Sequence, residues 1–192
     1  MKNFWTALLA VLATSANALF AANYTDHWWN KDESGWGVTL AHHNDKLFAV
    51  FYVYDTDGKP LWIVMPDGAF SSDGRTFTGS VYRTQGPSFR DPSFQPNNVD
   101  VFPAGTAKFT FATDEINASV TYTIGNTTST KQIAREPFGD APANNPTDYS
   151  DIWWNPNESG WGLTITHHGN KIFAVWYAVS YTHLTLPTIY SV

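Results

Sequence analysis

From Trp36 the chain alternates with a period of two. Trp36, Val38, Leu40 and His42 fall on one face, and Gly37, Thr39, Ala41 and His43 on the other. That period belongs to a β-strand, where successive side chains point to opposite sides. Asn44-Asp45 supplies a two-residue turn, and Leu47 to Tyr54 a second strand rich in Phe, Val and Tyr, so the pair is predicted to form a hairpin. Asp57-Gly58 and Ser71 to Gly74 are the next turn signals, framing strands at Leu61 to Met65 and Thr76 to Thr84. Further strands are predicted at Thr106 to Ala112, Ala118 to Ile124 and Ser129 to Arg135, separated by Asp114-Glu115 and Gly125-Asn126. Between Gln85 and Gly105 lie Pro87, Pro92, Pro96, Pro103 and the pair Asn97-Asn98, which predicts a long loop and excludes a central strand. Asn23 to Ser34 is polar apart from Trp28 and Trp29 and carries no period, so it is expected to lead in and lay its aromatics on the sheet that follows. No window shows the three-and-four spacing of an amphipathic helix. The fold class is therefore all-β: an antiparallel up-and-down meander of about seven strands, favouring a small closed or nearly closed barrel over a sandwich.

The opening segment returns. Asp26 to Val53 recurs as Asp151 to Ala178 with 17 of 28 positions identical at a constant offset of 125. The chain divides accordingly into a first β unit at 24–135, a linker at 136–150 and the start of a second β unit at 151–178. A complete second copy would continue with an Asp-x-Asp-Gly turn and a Leu-Trp strand. Val179 to Thr188 instead reads VSYTHLTLPT, which resembles the translation of a transposon-end adapter used in DNA library preparation. Residues 179–192 are accordingly read as an artefactual tail and the second unit as truncated. A hairpin alone is marginal in water, so this remnant is expected to join an edge of the first unit or to stay poorly ordered.

Lys2, the apolar run Phe4 to Ala13 and Ala16-Asn17-Ala18 together read as a signal peptide over residues 1–18, with Ala21 and Ala22 as alternative cleavage points. The run is shorter than the roughly 20 residues a bilayer span needs, and no other segment is apolar enough. Export to the periplasm or beyond, with no integral membrane segment after cleavage, is the expectation. With 11 Lys and Arg against 17 Asp and Glu and no basic cluster, nucleic acid is excluded as a partner. Cys is absent, so neither a disulfide nor thiolate chemistry is available.

The nine tryptophans supply the best binding candidates. Trp28, Trp29 and Trp62, with Tyr52 and His42, are the candidate ligand-binding residues, because flat aromatic faces offer apolar contact together with one polar handle. Trp36, between Gly35 and Gly37, reads instead as core packing. His42-His43 returns as His167-His168, but neighbours on a strand point apart and no third ligand sits at a metal-binding spacing, so no metal and no cofactor are expected. Asp26, Glu33, Asp151 and Glu158 also recur. Two such acids could serve general acid and base catalysis, although Glu33, just before Ser34-Gly35, reads better as pinning the turn that admits Trp36. Ser34 lacks the first Gly of a Gly-x-Ser-x-Gly elbow and is no triad serine.

The motif Trp-Trp-Asn-Pro-x-Glu-Ser-Gly-Trp-Gly, intact at Trp153 to Gly162 and carrying Lys31 for Pro in Trp28 to Gly37, resembles a repeat of uncharacterised exported proteins of Gram-negative bacteria. That resemblance implies export and tandem β units, and no activity. Gly35-Trp36 on the first strand is similar to the Trp beside Gly of lipocalin-like and avidin-like barrels, though lipocalins have Gly-x-Trp. This second resemblance implies a small ligand in the barrel mouth. The expected function is an exported, non-catalytic module for a small apolar or carbohydrate ligand. The alternatives are an envelope adhesion or structural domain, and a hydrolase using Asp26, Glu33 and His42.

Overall fold

Turn chemistry cuts the chain into strands where the sequence says it should. The computed structural model describes residues 22–88, 95–139, 147–158, 161–178 and 190–191. The leader at 1–18, positions 89–94 of the Pro-rich stretch, 140–146 of the linker and most of the 179–192 tail lie outside the described residues. The first unit contains β1 (Asp26–Trp29), β2 (Gly37–His43), β3 (Lys46–Tyr54), β4 (Pro60–Met65), β5 (Gly68–Phe70), β6 (Thr76–Gln85), β7 (Asp100–Phe111), β8 (Asn117–Ile124) and β9 (Thr127–Arg135). Asn44 takes the left-handed backbone (φ 56°) in the β2–β3 turn, a conformation Asn tolerates better than most residues. At the β7–β8 turn Asp114 Oδ1 accepts the backbone N–H groups of Ile116 and Asn117, each at 2.9 Å.

Neighbours in sequence are neighbours in space: the order runs β4-β3-β2-β1-β9-β8-β7-β6-β5, and a β4–β6 pairing closes it. The result is a closed antiparallel meander of eight strands, with β5 an extra ribbon on β6. The expected seven strands lacked β1. The lead-in is in fact a strand, pairing with β2 through Asp26↔Leu40 and with β9 through Trp28↔Arg135, so it closes the barrel. The Pro-rich stretch also ends earlier than expected. β7 starts at Asp100, and Pro103 is tolerated opposite Tyr82 beside a register shift at Val81/Tyr82, because a local irregularity releases Pro from donating to the ladder. Gly105, at φ 153°, is needed in β7 because a Cβ there would lie 1.8 Å from the Thr123 carbonyl oxygen.

Alternation fills the interior. Trp28, Val38, Leu40, Leu47, Ala49, Phe51, Ile63, Met65, Phe77, Val81, Phe109, Phe111, Val120 and Ile133 form one buried cluster, all from the first unit. The barrel is therefore a packed core of its own, as small eight-stranded barrels are.

The second unit supplies β10 (Asp151–Trp153), β11 (Trp161–His168) and β12 (Lys171–Ala178), with Tyr190–Ser191 as a short strand β13 on β12. It does not extend an edge of the first sheet, because closure leaves no edge to extend. It forms a separate sheet instead and covers the outer wall of β1–β3. The outward residues Thr39, Ala41 and Val50 are consequently as buried as core positions.

Candidate functional site

The two copies of the repeat fold alike in detail. Trp28 Nε1 donates to the Tyr24 carbonyl at 3.1 Å, and Trp153 Nε1 to the Tyr149 carbonyl at 3.0 Å. The His42 amide donates to Thr25 Oγ1 and the His167 amide to Ser150 Oγ. Tyr24 stacks on His42 as Tyr149 stacks on His167. Trp36 Nε1 donates to Glu33 and Trp161 Nε1 to Glu158. The repeat thus begins at Tyr24 and Tyr149, two residues before the identity was counted, where Thr25 and Ser150 play the same part.

The copies meet through equivalent residues with roles exchanged. Asp26 of the first contacts His168 of the second, with Nε2 3.1 Å from Oδ1. Asp151 of the second contacts His43 of the first, with Nε2 2.9 Å from Oδ1. Thr39 and Thr164, equivalent at the offset of 125, face each other at 3.5 Å. Reciprocity of this kind is the mark of an isologous contact about a two-fold axis, here a local pseudo-axis within one chain.

A hydrogen-bonded chain crosses that axis. Tyr52 OH lies 3.1 Å from Thr164 Oγ1, Thr164 donates to Thr39 Oγ1, and Thr39 Oγ1 lies 2.9 Å from His27 Nδ1. His27 Nε2 is 3.4 Å from Glu136 Oε2. Burial pushes the His27 pKa down to about 4, against the opposing pull of Asp26. The ring is therefore neutral at neutral pH, with Nδ1 facing the Thr39 hydroxyl and Nε2 facing Glu136. Burial also raises the Glu136 carboxyl above its ordinary value, with Asp26 adding to it.

The sign of the His27 shift sets an acid dependence. Its folded pKa lies below the unfolded 6.5, so unfolded chains take up the proton first. Its contribution to stability is complete above pH 6.5 and declines as pH falls toward 4, by at most about 3 kcal/mol. Urea melts across that range should show the decline, and His27→Gln should flatten it. An unchanged slope in the variant would assign the acid loss elsewhere.

On one side of the pseudo-axis the space between the copies is filled by the linker. Phe138 stacks on His168 with centroids 4.2 Å apart and lies 5.7 Å from Phe173. On the other side the described residues leave it open. There a groove of about 570 Å³ runs between the barrel wall and the second sheet, walled by Phe48, Trp62, Trp154, Trp161 and Tyr177, with the His43–Asp151 pair also in its lining. The contrast shows in the exchanged pairs: Asp26 and His168 side chains are 5% and 11% exposed, Asp151 and His43 38% and 64%.

The five sequence candidates separate. Trp62 lines the groove, its Nε1 donating to Thr84 Oγ1 at 3.3 Å. Trp29 is half-buried, while its repeat equivalent Trp154 lines the groove. Trp28 is fully buried inside the barrel. Tyr52 lies in the hydrogen-bonded chain between the copies, and burial raises its hydroxyl pKa. His42 sits at the barrel end, with Nε2 2.8 Å from the Asn44 carbonyl. Of the hydrolase trio, Asp26 is held by Arg135 and His168, Glu33 by Lys131 and Trp36, and His42 by Tyr24 and Asn44, so each has its own partners. Among the described residues no group of three or more His, Cys, Asp or Glu is placed to hold a metal ion. Phe48, His43 and Asp151 also line the groove, although none was among the ligand-binding candidates drawn from the sequence. Their signal was the recurrence of Asp and His together at one offset.

The second sheet also leaves an aromatic face in solvent. Trp153 and Trp176 are 48% and 51% exposed, although Trp28 and Phe51, their equivalents, are barrel core. Fold and site together define a closed eight-stranded meander barrel that carries, docked on its outer wall, a copy of its own first three strands. Comparison with protein-family models, curated proteins and solved structures finds no match.

Proposed function

We propose that this chain is an exported, non-catalytic binding module that holds a small apolar or carbohydrate ligand in the groove between its barrel and its second repeat. The observation that carries the reading is the groove itself. Its 570 Å³ falls within the roughly 300–1,000 Å³ of small-ligand sites, and its walls are mostly apolar, aromatic and aliphatic, with few polar groups. Trp154 and Trp161 offer flat faces for a sugar ring or an apolar body over the buried edge of Trp62, and the Asp151–His43 pair supplies donors and acceptors at one end. Export and membership of the tandem-repeat proteins of Gram-negative bacteria are part of the proposal and rest on the leader and the Trp-rich motif. No helix among the described residues is long and apolar enough to cross a membrane.

Intrinsic tryptophan fluorescence titrated with a panel of glycans and apolar ligands tests the reading. A saturable change with at least one ligand, abolished in Trp154→Ala, is expected. Silence across the panel would reject it. The exposed Trp153 and Trp176 favour a second reading, adhesion to an envelope surface. That reading requires pull-down on cell-envelope fractions, lost in a Trp153→Ser/Trp176→Ser double variant and kept in Trp154→Ala.

A further inference from the structure

We infer that the open groove receives a planar aromatic side chain presented by an extended peptide, a reading that rests on the groove being a binding site as proposed above. The argument comes from the pseudo-axis. Three groups in the groove wall have equivalents on the filled side. His43 corresponds to His168, Phe48 to Phe173 and Ile152 to His27, all at the offset of 125.

The filled side shows what such walls hold. Phe138 lies flat on His168, with an interplanar angle of 6°, and tilts at 44° to Phe173. His27 closes the third side, 4.7 Å from Phe173. The ring is presented by Glu136, whose backbone N–H donates to the His27 carbonyl at 2.9 Å, and by Pro137, which stiffens the approach. Asp26 fixes the His168 imidazole through Nε2, leaving its face to the incoming ring. Asp151 fixes His43 in the same way at 2.9 Å, so the groove presents an oriented imidazole beside Phe48, with no ring stacked on it among the described residues.

One substitution between the sides narrows the ligand. Glu136 lies 3.4 Å from His27, but the position equivalent to His27 is Ile152, which offers a carboxylate nothing. The groove therefore selects for the ring and is indifferent to an acid before it. Trp161 and Trp62 extend the aromatic wall beyond the ring position.

The test uses the full chain and the peptide Arg-Glu-Pro-Phe-Gly, the sequence of residues 135–139, followed by tryptophan fluorescence. Saturable binding is expected, weakened at least tenfold when the peptide Phe is replaced by Ala and little changed when its Glu is replaced by Gln. Phe48→Ala, on the outer face of β3 away from the barrel core, should weaken binding to a similar degree. Equal binding of the Phe and Ala peptides, or none of either, overturns the inference. Binding of a glycan or alkyl ligand without the peptide overturns it too and leaves the proposed module standing, whereas silence toward every class removes both.

Discussion

Trp28→Ala is expected to destabilise the protein by about 3–5 kcal/mol, the usual cost of removing a large aromatic from a packed core. Trp28 is fully buried, its Nε1 is satisfied by the Tyr24 carbonyl, its ring meets Phe111 edge-on at 5.5 Å, and the Arg135 guanidinium lies 4.9 Å from its centroid. It also sits at the seam, since Trp28↔Arg135 and Trp29↔Ala134 are the pairs joining β1 to β9. The repeat supplies an internal control. Trp153 occupies the equivalent position and makes the same hydrogen bond, yet is half-exposed because the rest of a barrel does not close over it. Trp153→Ala should therefore cost under about 1 kcal/mol. Urea unfolding of the two variants reads the difference directly. Equal losses would mean that Trp28 is not enclosed and that β1 does not close the barrel.

This pair also shows where sequence reading reaches its limit. The hairpins from Gly37 onward were legible because one face of each strand is apolar and the turns place Asn44, Gly58, Gly74, Gly125 and Gly169 where φ is positive, Glu115 being the exception. β1 was not legible. Its four residues show no apolar face: Trp28 turns into the barrel, Asp26 and His27 are buried in contact with His168 and Phe173 of the second repeat, and Trp29 is half-buried. The separation of His42 from His43 followed from alternation alone and is seen in their different partners. The groove was beyond reach because it needs the outer wall of one copy and the face of another. A trace existed even so. Thr39, Ala41 and Val50 are small or apolar at positions a solvated barrel wall would fill with charge, and they are the ones the second repeat covers. The recurrence of Asp with His raised the prospect of a duplicated active site. Its physical cause is reciprocity, because a self-complementary contact needs both members of the pair on both copies.

Asp26→Ala tests that reciprocity with the second large effect. Burial alone would raise the Asp26 carboxyl, but hydrogen bonds from His168 and from Arg135 Nη1 at 2.8 Å outweigh it and hold the group below its ordinary value. The carboxylate is thus charged at neutral pH, and its stabilising contribution is lost only as acid drives pH below the ordinary carboxylate range, a lower window than that of His27. Removing one partner of a buried pair costs about 3–5 kcal/mol. Arg135 keeps the carbonyls of Asn23, Thr25 and Glu115, which places the expected loss toward the lower end. Asp151→Ala breaks the equivalent pair in solvent and should cost no more than about 1 kcal/mol. A double-mutant cycle of Asp26→Ala with His168→Ala isolates what belongs to the docked repeat, since only Arg135 remains common to both arms. Coupling of about 0.5–3 kcal/mol is expected for side chains in direct contact. A cycle that closes to zero would place His168 away from Asp26, undock the second sheet from the wall of β1–β3, and remove the groove together with both proposals built on it.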